Sequence, residues 1–294
     1  MREISIEGLK LIGSGANGKV YRLNDEQIVK VYNPLTNPYE KIEREKSVSK
    51  TAFIHGVPTA ISFDIVRVGE EYGMVYEMIE AKTLGAAIEE DPGMAGEYAA
   101  RMARLLKDLH HTSFAEGELP DGRLNLHAWA DIAERSGYYP AEVMERMRRF
   151  IDDIPERNTF IHGDFHPGNI MLSKGEMLLI DMGDASLGHP VIDLLGSYQI
   201  MKATAERPGG AMRYMGMSLE LAKEVWSVFI REYFETDDPE RLAGLEQLLR
   251  FYCLIRTFPG ITFSELLKED ERRALVDKVV KSFMKGADRV RLPF

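Results

Sequence analysis

The sequence predicts an α+β chain in two lobes, a small β-rich N-terminal lobe with one main helix and a larger, mainly helical C-terminal lobe. The first eighty residues break into short runs rich in Ile, Val, Leu and Tyr, separated by turn residues. After Glu80 the apolar residues recur at helical spacing instead. No internal repeat or low-complexity linker interrupts this order. The change of texture near 77–81 sets the expected boundary, with residues 1–79 in the first lobe and 80–294 in the second.

In order along the chain, residues 3–11, 19–23 and 27–32 read as strands, with Asn24-Asp25 as the hairpin turn between the second and third. Residues 33–38 form a loop. Residues 39–55 read as a helix on the partial stripe Ile42, Val48, Ala52 and Phe53, ended by Gly56-Val57-Pro58. Residues 60–68 and 72–79 are two further strands around Gly69-Glu70-Glu71. In the second lobe, residues 97–111 place Tyr98, Met102, Leu105, Leu106 and Leu109 on one helical face. Residues 140–151 repeat the pattern after a proline suited to a helix start. Short apolar runs at 159–161 and 177–180 flank a loop rich in His, Gly and Asp. From Leu194 onward the chain reads as helices, broken near Pro208-Gly209-Gly210, near Asp237 to Pro239 and near Pro259-Gly260.

With 294 residues, 45% hydrophobic and 29% charged, the chain has the composition of a globular protein. Lys plus Arg number 37 and Asp plus Glu 47, a formal net charge of −10. That balance, with no long basic run, argues against nucleic acid or an anionic membrane as partner and is compatible with a cationic small molecule. The single Cys253 rules out an internal disulfide and reads as a buried small hydrophobe. No stretch approaches the roughly 18 uninterrupted apolar residues of a membrane span, and the start lacks a signal-like apolar segment, so a cytoplasmic location is expected.

Chemistry concentrates in three places. Gly13-Ser14-Gly15-Ala16-Asn17-Gly18-Lys19-Val20 is a G-x-G-x-x-G-x-V pattern between two predicted strands. Glycines there let the backbone turn tightly and bring N–H groups near phosphate oxygens. A dinucleotide fold needs such glycines to open a helix; here the chain continues as a strand, which favours a nucleotide-covering hairpin or an ordinary one. One hairpin later Lys30 sits among β-branched residues, either solvent-facing or placed to reach phosphates. An ammonium so placed needs an acidic partner, and Glu43 and Glu45 on the following helix are the candidates. The third place is His162-Gly163-Asp164-Phe165-His166-Pro167-Gly168-Asn169-Ile170, followed by Leu178-Leu179-Ile180-Asp181. Phosphoryl transfer needs a carboxylate to orient the attacking hydroxyl and hard oxygen ligands for Mg²⁺, which takes only one or two protein carboxylates. His162 and His166 read as hydrogen-bonding scaffold ahead of zinc ligands, with no Cys cluster or H-E-x-x-H to support them. Trp226, Tyr233 and Phe234, near Glu232 and Glu235, read as core ahead of an ammonium pocket.

H-G-D-x-H-P-G-N followed by I-D-x-x-D-A resembles the signature of the aminoglycoside phosphotransferases and their relatives, the choline, homoserine, methylthioribose and fructosamine kinases. The resemblance runs from the glycine-rich loop to about Leu195. It implies a bilobal protein-kinase-like fold, with 1–79 as nucleotide-binding lobe and 80–294 as catalytic and substrate-binding lobe. The implied activity is transfer of the γ-phosphoryl group of ATP, with Mg²⁺, to a hydroxyl of a small molecule of the aminoglycoside, amino alcohol or amino sugar type. Position by position, it implies Asp164 as catalytic base and Asn169 and Asp181 as Mg²⁺ ligands. Gly13, Gly15, Gly18 and Lys30 would lie at the phosphates, and Glu45, which directly follows Arg44 as in the family, would pair with Lys30. Backbone groups from Glu77 to Ile79 would hold the adenine. Leu109-His110 matches a recurrent feature with a structural role. Protein kinases have Arg where this chain has Gly163, and only about a dozen residues, without A-P-E, join Asp181 to Asp193, which argues against a protein substrate. Gly188-His189-Pro190 stands where the family often has Gly-Asp-Pro. Asp193 either braces the catalytic loop or caps a helix before Leu194-Leu195, and Asp184 caps a turn or touches metal or substrate. A catalytically silent nucleotide-binding regulator is the alternative; it usually lacks one of the residues Lys30, Asp164, Asn169 and Asp181, all present here.

Overall fold

The computed structural model describes residues 1–15, 17–264 and 267–293. Ala16, inside the glycine-rich motif, lies outside the described residues. Strands β1 (Arg2–Glu3), β2 (Lys10–Gly15), β3 (Gly18–Arg22) and β4 (Gln27–Tyr32) lead into helix α1 (Tyr39–Ile54). Strands β5 (Ser62–Val68), β6 (Glu71–Glu77) and β7 (Lys82–Thr83) follow, then α2 (Leu84–Glu90), α3 (Ala95–His111), α4 (Gly122–Arg135) and α5 (Ala141–Asp152). Next come β8 (Phe160–Ile161), β9 (Ile170–Ser173), β10 (Glu176–Leu179) and β11 (Ser186–Leu187). The remainder is helical: α6 (Val191–Tyr198), α7 (Gly210–Met215), α8 (Leu219–Phe234), α9 (Pro239–Tyr252), α10 (Leu254–Thr262) and α11 (Glu269–Gly286). Among the described residues no helix is long and apolar enough to cross a membrane. The chain divides into two compact units, residues 1–87 with 167–185 and residues 88–166 with 186–294.

The first unit is built on a six-stranded sheet of order β1-β5-β6-β4-β3-β2, antiparallel except for the β1–β5 pair. Side chains alternate faces along a strand. In β4, Val29 and Val31 therefore join Val66, Val68 and Val75 in one apolar layer. Tyr32 turns the other way and packs with Met74 and with Ile42 of α1. Lys30 shares the Tyr32 face by the same alternation, so the strand period aims its ammonium at the helix. On α1 the buried positions are Ile42, Glu45, Val48, Ser49 and Ala52, a helical stripe that includes a glutamate. Phe53, assigned to that stripe from sequence, is 48% exposed, because it falls one residue past Ala52 and outside the buried arc.

The expected continuous strand over 3–11 is interrupted. Leu9 donates its amide to Ile6 O across a turn, and Gly8 has φ 74°. The loop expected between the two apolar runs contains β9, which pairs with β10 around Lys174-Gly175 and with β7 on its other side. Both turn residues have positive φ, 49° and 87°, as a two-residue hairpin loop requires.

In the second unit α3 packs on α8 and buries Ala99, Met102, Ala103 and Leu106. The buried stripe, which includes both alanines, is rotated from the expected one and leaves Tyr98 and Leu105 half-buried. Helix α4, unanticipated, is capped by the Asp121 carboxylate, which accepts from the Arg123 amide at 2.8 Å. The break expected at Pro259-Gly260 is absent. Pro259 lies inside α10, where Phe258 stacks on Tyr139 at 4.6 Å and Ile255 and Ile261 are buried. Tertiary packing there outweighs the hydrogen bond that proline removes.

Of the motif glycines, Gly18 is the sterically constrained one. It has φ 153°, and a Cβ there would lie 2.1 Å from the Val31 carbonyl oxygen of the neighbouring strand, whereas a Cβ at Gly15 would meet nothing within 4 Å among the described residues. Gly18→Ala is expected to cost about 2 kcal/mol of unfolding free energy and Gly15→Ala less than about 0.5, as read by urea denaturation.

Candidate active site

The motif His162 to Asn169 is divided between the units, with His162 to His166 in the second and Pro167 to Asn169 in the first. In the first unit, the Lys30 ammonium stands 3.1 Å from Glu45 Oε1 and 2.9 Å from Asp181 Oδ1. Lys30 also lies over the Tyr32 ring, 4.8 Å from its centroid. Burial alone would lower the lysine pKa, but the Asp181 and Glu45 charges outweigh it and hold it above the ordinary value, so the cation persists. Glu45 is fixed in turn by the Tyr76 hydroxyl, which donates to Oε1 at 2.8 Å and lies 3.2 Å from the Tyr32 hydroxyl. Burial and then the Glu45 charge push both tyrosines well above their usual pKa, so they stay hydroxyl donors. Glu43, the other candidate, is turned to the Tyr39 hydroxyl instead.

Asp181 follows β10, and Asn169 precedes β9. The register Leu179↔Ile170 of this hairpin brings the two to one end, where Ile180 donates its amide to Asn169 O at 3.1 Å. Asp181 itself is left-handed, φ 63° and ψ 60°, a conformation aspartate tolerates better than most residues. Its Oδ2 accepts from Asn17 Nδ2 at 3.3 Å, and Asn17 O accepts from Asn37 Nδ2 at 3.1 Å, so the glycine-rich hairpin is tied down at its tip. Asp184 ends a single 3₁₀ turn, Met182–Asp184. Among the described residues no three His, Cys, Asp or Glu side chains converge to hold a metal by themselves. Asp181 and Asn169 supply one carboxylate and one amide oxygen, a hard donor pair of the size Mg²⁺ takes from protein.

At the end of β6, the Glu77 amide donates to Ile61 O, the Glu77 carboxylate accepts from the Ile61 amide at 2.7 Å, and the Met78 amide donates to Glu26 O. These bonds stay within the sheet. Among the described residues the Ile79 backbone groups have no such partner, which leaves Ile79 as the open member of the 77–79 segment.

In the second unit, Asp193 organises the loop. It lies in the first turn of α6, after Pro190 at the N-cap, and is 1% exposed. It is therefore the loop brace and not the helix cap: its carboxylate accepts from the amides of His162 at 2.9 Å and Gly163 at 2.6 Å. His110 Nε2 donates to it at 3.1 Å, and with that tautomer Nδ1 accepts from the Tyr233 hydroxyl at 2.7 Å. The structural role expected of His110 thus takes the form of a buried relay. Gly163 has φ 85°, accessible to glycine without strain. His189 Nδ1 accepts from the Val191 amide at 3.2 Å, so an imidazole serves the α6 N-terminus where the family often has an aspartate.

Asp164 lies 3.5 Å from His166 Nε2 and 3.6 Å from Arg256 Nη2. Burial acts to raise its pKa, but the His166 hydrogen bond and charge, then Arg256 and His162, hold it well below the usual carboxylate range. The carboxylate is therefore ionised throughout the neutral range and able to orient a hydroxyl. Of the aromatic residues singled out after Asp193, Trp226 is core, 3% exposed with its Nε1 donating to Glu246 at 2.6 Å, and Tyr233 and Phe234 are half-buried. Cys253 is buried at 3% exposure, and burial raises its thiol pKa.

The profile of the phosphotransferase enzyme family (APH) matches residues 8–216, well over half of the sequence. The chain belongs to this family. A methylthioribose kinase of Escherichia coli is 24% identical over 189 residues, 57% of this chain and 42% of the relative, so the match spans less than half of that relative's length. Among solved structures, a choline/ethanolamine kinase family protein from Mesorhizobium loti superposes with a TM-score of 0.56 at 18% identity, covering 96% of this chain and 92% of the other. An aminoglycoside phosphotransferase from Streptomyces rimosus, in complex with ADP and streptomycin, gives 0.54 at 16%, covering 86% and 92%. At these identities the likeness is one of fold, and the protein-kinase-like class expected from sequence is the observed one.

Sequence reasoning missed the contact of Lys30 with Asp181, the Tyr32–Tyr76 support and Arg256. The last had a signal, a lone charge in the apolar stretch from Phe251 to Pro259. Removing the Asp193 carboxylate leaves two buried amides and His110 without an acceptor. Asp193→Ala is expected to cost about 3 kcal/mol in chemical denaturation. For Asp164 the folded pKa lies below its unfolded value of about 3.9. Its ionised form thus contributes stability above that pH, and the contribution is lost as pH falls through the folded value. The difference in unfolding free energy between wild type and Asp164→Asn should shrink as pH drops from about 5 toward 2.

Proposed function

We propose that the protein transfers the terminal phosphoryl group of Mg-ATP to a hydroxyl of a small molecule. The observation that carries this reading is the Lys30 ammonium held between Glu45 and Asp181 in the unit that contains the glycine-rich hairpin. A fixed cation beside a hard oxygen ligand is what a nucleotide's phosphates require. The ADP bound to the Streptomyces relative and the kinase activity in the name of the E. coli relative support it.

Lys30 would neutralise phosphate oxygens, and the backbone at Gly13 and Gly15 would approach them, since a Cβ at Gly15 would point into open space. The Ile79 backbone would bind the adenine edge. Asn169 and Asp181 would hold Mg²⁺, which when bound neutralises charge on the phosphates. Asp164 would orient the acceptor hydroxyl and take its proton. The acceptor oxygen bonds to the γ-phosphorus, the bond from phosphorus to the bridging oxygen breaks, and ADP leaves with that electron pair.

The test is ADP release with Mg-ATP and a panel of hydroxyl acceptors. Asp164→Ala and Asp181→Ala should each lower turnover by roughly 10³-fold or more, with Lys30→Ala also weakening nucleotide binding. Undiminished turnover in purified Asp164→Ala or Asp181→Ala would overturn the assignment.

A further inference from the structure

Arg256 is the cation that the phosphotransferase reading leaves without a task. It projects from α10 and its side chain is only 13% exposed. The guanidinium lies over the Trp129 ring of α4 at 5.4 Å, and Nη2 is 3.6 Å from Asp164 Oδ1. On a third side is Gly196 of α6, where a Cβ would come within 2.6 Å of Nη1. Glycine at 196 therefore leaves room for the guanidinium. Among the described residues its N–H donors make no hydrogen bond, and its one ion-pair partner is Asp164 at 3.6 Å. A guanidinium this buried ordinarily spends its donors on carboxylate or carbonyl oxygens.

We propose that Arg256 is an acceptor-recognition residue, and that the acceptor presents oxygens to it, those of a carboxylate or of neighbouring hydroxyls, and not an ammonium. The proposal rests on Asp164 receiving the acceptor hydroxyl. An ammonium presented to the guanidinium on the side away from Asp164 would make a like-charge contact that disfavours binding. A carboxylate on that side would complete the planar fork. The acceptor class is thus oxygen-rich and neutral or anionic, in contrast to the amine-bearing type that net charge and family resemblance had pointed to.

The chain has two tryptophans, so Trp226→Phe leaves Trp129, stacked under the guanidinium, as a single fluorescent reporter. Glucuronate, glucose and glucosamine present a carboxylate, a neutral and an ammonium version of one ring. Saturable fluorescence change is expected for glucuronate, with glucose weaker and glucosamine at least about tenfold weaker than glucuronate. Arg256→Gln should weaken glucuronate by about tenfold or more and leave glucosamine unchanged or tighter, and Arg256→Lys should recover only part of the loss. Gly196→Ala, which shifts the guanidinium without removing it, should also weaken glucuronate. Glucosamine binding as tightly as glucuronate, no saturable response to glucuronate, or glucuronate binding indifferent to Arg256→Gln would each overturn the proposal. The assay needs no nucleotide. Oxygen-selective binding in a protein that does not turn over Mg-ATP would leave Arg256 in this role while the phosphotransferase reading fell. Turnover confined to amine-bearing acceptors would do the reverse.

Discussion

A lysine ammonium taken out of water must be neutralised where it stands, and in the first unit that constraint ties three separate pieces of chain together. Lys30 comes from the central sheet, Glu45 from the helix packed on it, and Asp181 from the end of the β9–β10 hairpin. Breaking such a buried pair strands a charge, which costs far more than an exposed ion pair contributes. The cluster therefore fixes the helix on the sheet and holds Asp181 at a defined point near the tip of the glycine-rich hairpin. The tyrosine pair behind Glu45 leaves the carboxylate few alternatives.

The second unit solves the matching problem for a loop. A polar segment cannot be held by apolar packing, so Asp193 holds it by its amides, with His110 and Tyr233 orienting the carboxylate from behind. Because both amides come from the residues just before Asp164, the brace fixes the backbone that carries the Asp164 carboxylate. Asp164 then sits against His166 and the Arg256 cation, contacts that keep it charged although it is partly withdrawn from water. Under the acceptor-recognition proposal, the guanidinium that keeps the Asp164 carboxylate ionised would also set what can be bound beside it.

Much of this was legible in the residues. The strand period placed Lys30 opposite the face of Val29 and Val31. The apolar spacing of Ile42, Val48 and Ala52 defined the face on which Glu45, and not Glu43, is buried, since Glu45 stands one turn after Ile42. Two-residue and helical periods are local properties of the chain, and so is the H-G-D-x-H-P-G-N spacing that marks the family. Short elements were less visible: β9 was read as loop because four residues give too little alternation to recognise, and α4 was overlooked because its buried stripe is mostly small residues.

The sequence by itself determined the α+β class, the family and the set of polar residues around which a phosphoryl-transfer site is proposed, because each rests on periodicity or on fixed spacing within one segment. Only the tertiary structure decided that Asp181 shares Lys30 with Glu45, that Asp193 braces the loop and does not cap its helix, and that Pro259 stays inside a helix. It alone brought Arg256 to Asp164 from nearly a hundred residues away. Those outcomes depend on how desolvated charges and polar groups find partners across the fold, and that matching is a property of the packed chain, which no local pattern encodes.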